Sequence, residues 1–293
     1  MNPKESQPNT FLTKWRAIKL ITRMDKPIGT YLLLWPTYWA LWIAYDGWPN
    51  LHLLVVFSLG VFVMRSAGCV INDFADRKID GSVERTKNRP LVSGMMTSEE
   101  AISLFGVLIG IALALVLTLS WFTISLSVVA LVLAASYPFM KRYTQLPQVV
   151  LGAAFSWGMI MAFAETQAQI PLIAWILFFA NLCWTVAYDT MYAMVDREDD
   201  LKIGVKSTAI LFGENDKRII AFLQLMMLAS LYTVGELLAF GWPYHASLLI
   251  AAGLFIYQHV LIVNRERQGC FEAFLHNHWV GLVIFIGISI EYL

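Results

Sequence analysis

Two stretches of this chain gather oxygen-bearing side chains at helical spacing. In Asn72-Asp73-Phe74-Ala75-Asp76-Arg77-Lys78-Ile79-Asp80, Asn72, Asp76 and Asp80 recur at i, i+4 and i+8. In the stretch from Asp189 to Asp200, Asp189, Asp196 and Asp200 recur at i, i+7 and i+11. On a helix these spacings return to nearly one face, so each stretch carries a slowly rotating oxygen-rich stripe. Asp73 and Asp199 turn off the stripes. Asp76-Arg77-x-x-Asp80 and Asp196-Arg197-x-x-Asp200 match at an offset of 120 residues, and a basic loop follows each. Facing carboxylate stripes suit Mg²⁺, a hard cation that takes oxygen ligands and is completed by substrate phosphates. Lysines and arginines alongside them imply a substrate more anionic than one metal neutralises, and a diphosphate fits. The five histidines have no zinc-motif spacing. Cys69, Cys183 and Cys270 include no close pair and read as small buried side chains.

Arg65 stands apart from the other cations. Seven residues before Asn72, it lies ~10 Å below that residue on the same side of a helix. Ser66, Gly68 and Asn72 around it form a polar stripe. A charge at that depth usually faces a bundle interior or a wet cavity. An arginine snorkelling to the interface is the competing explanation.

The elements that position these residues are membrane helices. The 293 residues are 58% hydrophobic and 14% charged, with 21 basic and 21 acidic side chains. That balance excludes a soluble globular enzyme, a disordered chain and a nucleic-acid binder with a basic face. Apolar runs give nine spans, near 27–45, 52–72, 100–118, 121–139, 147–164, 170–192, 219–240, 245–263 and 274–292. The run 101–140 is too long for one span and divides at Ser120 and Trp121. Twenty of the 21 lysines and arginines precede span one or follow an even-numbered span. By the positive-inside rule the N-terminus is cytoplasmic and the C-terminus lies on the far side. The bare loops are also shorter, which contributes to the asymmetry. Residues 11–23 mix apolar and basic positions without the apolar core of a secretory signal, and read as an amphipathic helix on the cytoplasmic surface. Both acidic stretches then sit at cytoplasmic span ends. A diphosphate head gripped there, with a lipid tail among the spans, suits an allylic isoprenoid diphosphate. Departure of its diphosphate leaves a carbocation that Tyr137, Tyr188 and Tyr192 lie near enough to shield.

At these residues the chain resembles a known family. Asn72-Asp-x-x-Asp76-x-x-x-Asp80 and Asp196-x-x-x-Asp200 resemble the two signatures of UbiA-type intramembrane prenyltransferases. Arg23-Met-Asp25-Lys26-Pro27-Ile-Gly29-Thr30, Tyr188-Asp189-Thr-Met-Tyr192-Ala-Met-Val-Asp196-Arg-Glu-Asp-Asp200 and Gly204-Val-Lys206-Ser207-Thr208 look like the bacterial 4-hydroxybenzoate polyprenyltransferase branch. The resemblance implies an all-α bundle of nine transmembrane helices, related to isoprenoid synthases, with residues 1–293 forming one domain behind a lead-in over 1–26. It implies Mg²⁺-dependent transfer of a polyprenyl group from polyprenyl diphosphate to the ring carbon beside the hydroxyl of 4-hydroxybenzoate. That is a step of ubiquinone synthesis, in the bacterial inner membrane beneath a cytoplasmic cap, with membrane lipid and no nucleic acid as partner. Asn72, Asp76, Asp80, Asp196 and Asp200 would hold the metal. Arg23, Arg77, Arg85, Arg89, Lys141, Arg142, Tyr192 and Lys206 would bind substrate, although each cation also obeys the topology rule. Arg65 or Arg142 would receive the aromatic carboxylate, and Asp189 would orient the phenol or accept the ring proton.

Other readings are a prenyltransferase of the same fold acting on a naphthoate, homogentisate or haem, a transporter, or a lipid-binding scaffold. A transporter would explain buried charge and an internal repeat. Against it, the carboxylates cluster at one surface, and the basic loops repel cations.

Overall fold

A computed structural model describes residues 10–78, 80–82 and 85–293. Among them every regular element is helical. A short α1 (Thr10–Ile21) leads into α2 (Ile28–Tyr45), α3 (Leu51–Asp76), α4 (Ser98–Val116), α5 (Trp121–Tyr143), α6 (Pro147–Gln167) and α7 (Leu172–Ile203). After the one-turn α8 (Thr208–Phe212) come α9 (Asp216–Leu237), α10 (Trp242–Leu261) and α11 (Arg267–Glu291). The nine long helices among the described residues coincide with the nine expected spans. Eight are long and apolar enough to cross a membrane. The ninth, α2, has 18 residues, among them three tryptophans and three tyrosines that lower its mean hydropathy.

Local chemistry sets the boundaries. Asn50 caps α3 by accepting from Leu53 N at 2.9 Å, and Thr97 and Glu100 form a reciprocal capping box on α4. Ser120, at the expected break, accepts from Thr123 N and starts α5. Pro147 opens α6, where a missing N–H costs nothing. Gly204 ends α7 with φ 74°, a left-handed conformation that suits glycine.

The centre of the bundle is the packing of α2, α6, α7 and α11 around Trp39, Phe163, Trp184 and Tyr188. Trp39 and Trp184 stack at 5.5 Å, and their indole N–H groups donate to Gly281 O and Asn277 Oδ1. Without water, each such group needs an internal partner. The helix α4 leans on α3, and α5 on α6, while α4 and α5 turn Val107, Leu113, Val128 and Val132 outward. The amphipathic α1 is present, but Ala17 and Ile21 are buried in a cluster with α3 and α4 residues rather than lying on an open surface.

Candidate active site

Between α2, α3, α4, α5, α6 and α7 lies a cavity of ≈ 1100 Å³. It runs from Asp73, Asp80, Asp196 and Asp200 at one end to Val56, Phe57 and Leu119 at the other. Along α3, from Val56 to Asp73, that is about 26 Å of helical rise, close to the thickness of a hydrocarbon core. The deep walls are leucine, phenylalanine, valine and methionine; the mouth is carboxylates and guanidinium groups.

The two acidic helix tips meet at that mouth. The loop after α3 brings Arg85 onto Asp196 of α7, with Nε 3.1 Å from Oδ1 and 3.0 Å from Oδ2. The same guanidinium lies 4.6 Å from the ring centre of Tyr192, which packs on Phe274 of α11 at 4.5 Å. Arg89 reaches Asp80 Oδ2 at 2.7 Å and Asp73 Oδ1 at 3.0 Å. Arg23, held at φ 59° in the turn between α1 and α2, donates to both oxygens of Asp73 at 2.8 and 2.9 Å. Burial pushes the Asp80 carboxyl up from its ordinary range, against the pull of Arg89. Burial pulls Arg85 and Arg89 down, but the surrounding groups outweigh it, Tyr192 and Asp196 for Arg85, Asp73 and Asp80 for Arg89. Both guanidinium groups end up harder to deprotonate than usual.

The mouth departs from the sequence expectation at several positions. Asn72 and Asp76 remain on α3, but the helix ends at Asp76, so Asp80 is not on the same helical stripe; it opens a one-turn 3₁₀ segment, Asp80–Ser82. The reason is capping of the last carbonyls. Arg77 donates to Phe74 O and lies over its ring, and Arg142 donates to Ala75 O at 2.9 Å. Arg77 and Arg142, turned to these carbonyls, are not among the residues lining the cavity. The Lys141 side chain lies outside the described residues, as do residues 1–9 of the lead-in. Asp73, which turns off the stripe, is 1% exposed, lines the cavity and holds two arginines. Its signal in the sequence is the pair of cations at 23 and 89, which helical spacing alone does not connect. Asp199 pairs with Arg267 and Lys202 instead. On α7, the unbroken helix places Asp189, Tyr192, Asp196 and Asp200 in the cavity wall, and Lys206 joins them from the loop beyond.

Among the described residues no three carboxylates, imidazoles or thiols converge as a preformed metal site. Arginines hold Asp80 and Asp196, which relieves the repulsion that gathered carboxylates would otherwise feel. The donor set still fits a hard cation. It offers only oxygens, and Asn72 Oδ1 is buried without a hydrogen-bond partner.

Arg65 is the second charged feature of the cavity. It sits in the α3 wall, and Cys69, Tyr137, Tyr188 and Tyr192 line the same cavity. Its Nε is buried and makes no hydrogen bond, and no ion pair joins it to a described residue. An arginine at a span centre costs about 2.5–3.5 kcal/mol on insertion scales, so an unpaired one calls for an anion.

A family model described as the UbiA prenyltransferase family matches residues 33–281. The 4-hydroxybenzoate octaprenyltransferase of Colwellia psychrerythraea is 80% identical over 280 residues, covering 96% of this chain and 98% of that protein. The protein of the same name from Pseudoalteromonas translucida is 63% identical over 272 residues, 93% of each chain. Among solved structures, the apo structure of a UbiA homolog from Aeropyrum pernix K1 matches with TM-score 0.79 and 24% identity, covering 90% of this chain and 98% of that one. A UbiA homolog from Archaeoglobus fulgidus bound to GPP and Mg²⁺ matches with TM-score 0.65 and 17% identity, over 93% and 99%.

Proposed function

As the chain belongs to the UbiA prenyltransferase family, we propose that it transfers the octaprenyl group of octaprenyl diphosphate to 4-hydroxybenzoate, on the ring carbon ortho to the hydroxyl, releasing diphosphate. The donor length and the acceptor follow the relatives' names. The observation that carries the acceptor assignment is Arg65, an unpartnered cation in the cavity wall, ~10 Å of helix below Asn72. A carboxylate on Arg65 and a diphosphate at the mouth leave room for one aromatic ring between them. The reaction belongs to a multi-pass membrane enzyme. Its mouth faces the cytoplasm in the inner membrane, a placement supported by the basic residues at that end.

The residues divide the work. Arg23, Arg85, Arg89 and Lys206 take the diphosphate oxygens, the arginines by paired N–H donors. Asn72, Asp76, Asp80, Asp196 and Asp200 would hold Mg²⁺, which when bound supplies positive charge to the departing diphosphate. For that, Arg85 must release Asp196 and Arg89 must release Asp80; the freed guanidinium groups turn to the phosphates. The allylic C–O bond breaks and its electron pair leaves with the diphosphate. Tyr188 and Tyr192 present their π faces to the allylic cation. Apolar walls exclude water that would otherwise capture it. Arg65 fixes the acceptor by its carboxylate, so that the ortho carbon attacks the cation. Asp189, half-buried in the cavity wall, accepts the ring proton as aromaticity returns.

The test is one incubation of purified protein with octaprenyl diphosphate, Mg²⁺ and equal concentrations of 4-hydroxybenzoate, a hydroxynaphthoate and homogentisate, read by mass spectrometry. The prenylated 4-hydroxybenzoate is expected to dominate. Preferential prenylation of another acceptor would overturn the assignment.

A further inference from the structure

Gly29 stands in the first turn of α2, where alanine is the better helix former. Its backbone does not need glycine, since its φ is not among the positive ones. What it lacks is a Cβ. A methyl group built there would lie 2.7 Å from Arg65 Cζ and closer still to Nε and Nη2. Real Cβ atoms do not approach other atoms so closely, so the guanidinium plane lies where any other residue's side chain would begin. Both residues line the cavity. The contacting atoms are the far end of a flexible side chain, so an added methyl displaces the guanidinium rather than the helix.

We propose that Gly29 is a positioning residue for the acceptor. Its bare backbone seats the Arg65 guanidinium against α2, and that seat sets the height and angle at which the aromatic carboxylate is received. The buried, unpartnered Nε faces this seat together with Nη2, which leaves Nη1 as the guanidinium nitrogen turned away from α2. Specificity for a carboxylated acceptor then depends on a residue with no side chain. This inference rests on the carboxylate role of Arg65.

The experiment is a double-mutant cycle on the full-length membrane protein with Gly29→Ala, Arg65→Ala and the pair. KM is measured separately for 4-hydroxybenzoate and for octaprenyl diphosphate, with thermal unfolding in detergent alongside. Gly29→Ala is expected to raise KM for 4-hydroxybenzoate about tenfold, the scale of a misplaced charge-assisted hydrogen bond, with KM for the diphosphate unchanged. In the Arg65→Ala background the same substitution should change neither KM and should not lower the unfolding temperature, because the colliding group is gone. If Gly29→Ala is as damaging in the Arg65→Ala background as in the parent, the glycine serves the fold and the proposal is wrong. If Gly29→Ala leaves KM for 4-hydroxybenzoate unchanged while Arg65→Ala raises it, the positioning role fails alone. If Arg65→Ala itself leaves that KM unchanged, the carboxylate reading fails and takes this inference with it. Should Gly29→Ala prove too unstable to assay, the unfolding temperatures of the pair and of Arg65→Ala decide.

Discussion

The Arg85 guanidinium grips the Asp196 carboxylate through Nε and Nη2, across 111 residues of sequence. This pairing is a direct join between the loop after α3 and the tip of α7. It places a phosphate-type donor and a metal-type ligand in one contact, so binding of a charged head must exchange the partners of both. Each partner has a second interest at the mouth: Arg85 stacks on Tyr192, and Asp196 lines the cavity beside Asp200.

Arg85→Ala is expected to lower kcat/KM for octaprenyl diphosphate by about 10- to 100-fold, matching ~1.5–3 kcal/mol for hydrogen bonds to a charged group. The protein should remain folded, since the Arg85 side chain is 31% exposed and Asp196 is freed toward the open mouth. Steady-state kinetics with the donor varied checks this.

Arg65→Ala should raise KM for 4-hydroxybenzoate at least about tenfold and leave KM for the prenyl diphosphate unchanged. Removing an unpaired guanidinium breaks no ion pair within the described residues, so thermal stability should hold or improve. Kinetics with each substrate varied in turn, together with unfolding in detergent, separates the two effects.

Asp73→Ala should be the most destabilising change at the mouth. Its carboxylate is 1% exposed and holds both Arg23 and Arg89. Breaking such a buried pair costs about 3–5 kcal/mol, and two cations lose their anchor. A drop in unfolding temperature accompanied by a raised KM for the diphosphate is the expected signature.

The contrast between Asp73 and Asp76 shows where the sequence is legible and where it is not. Nine apolar runs, the break at Ser120 and each of the two acidic motifs are readable because hydropathy, capping and helical periodicity are local. Spacing puts Asp80 on the α3 stripe because it assumes that the helix continues. The helix ends at Asp76, where Arg77 and Arg142 take the carbonyls of Phe74 and Ala75. Those two arginines resemble substrate ligands for the same reason: spacing cannot tell a cation facing the cavity from one that bonds the backbone. The ties of Asp73 to Arg23 and Arg89, 50 residues before it and 16 after, are tertiary. The seat of Arg65 on Gly29 is equally invisible to periodicity, because a glycine carries no pattern signal of its own.

Asp189→Asn keeps the shape of a half-buried side chain and removes its basicity. It should lower kcat by about 100-fold or more, within the usual range for a lost general base, while KM for both substrates changes little. Deuterium at the ortho carbon of the acceptor should then slow turnover in this variant and not in the parent, where proton loss is fast.

The claim on which the rest depends is that both acidic tips serve one diphosphate. Its most direct test is Mg²⁺-dependent binding of a non-cleavable prenyl thiodiphosphate to the parent protein and to Asp76→Ala and Asp196→Ala, measured by calorimetry on folded protein. Loss of Mg²⁺-dependent binding in both variants is predicted. Parent-like binding by either variant would contradict a shared site.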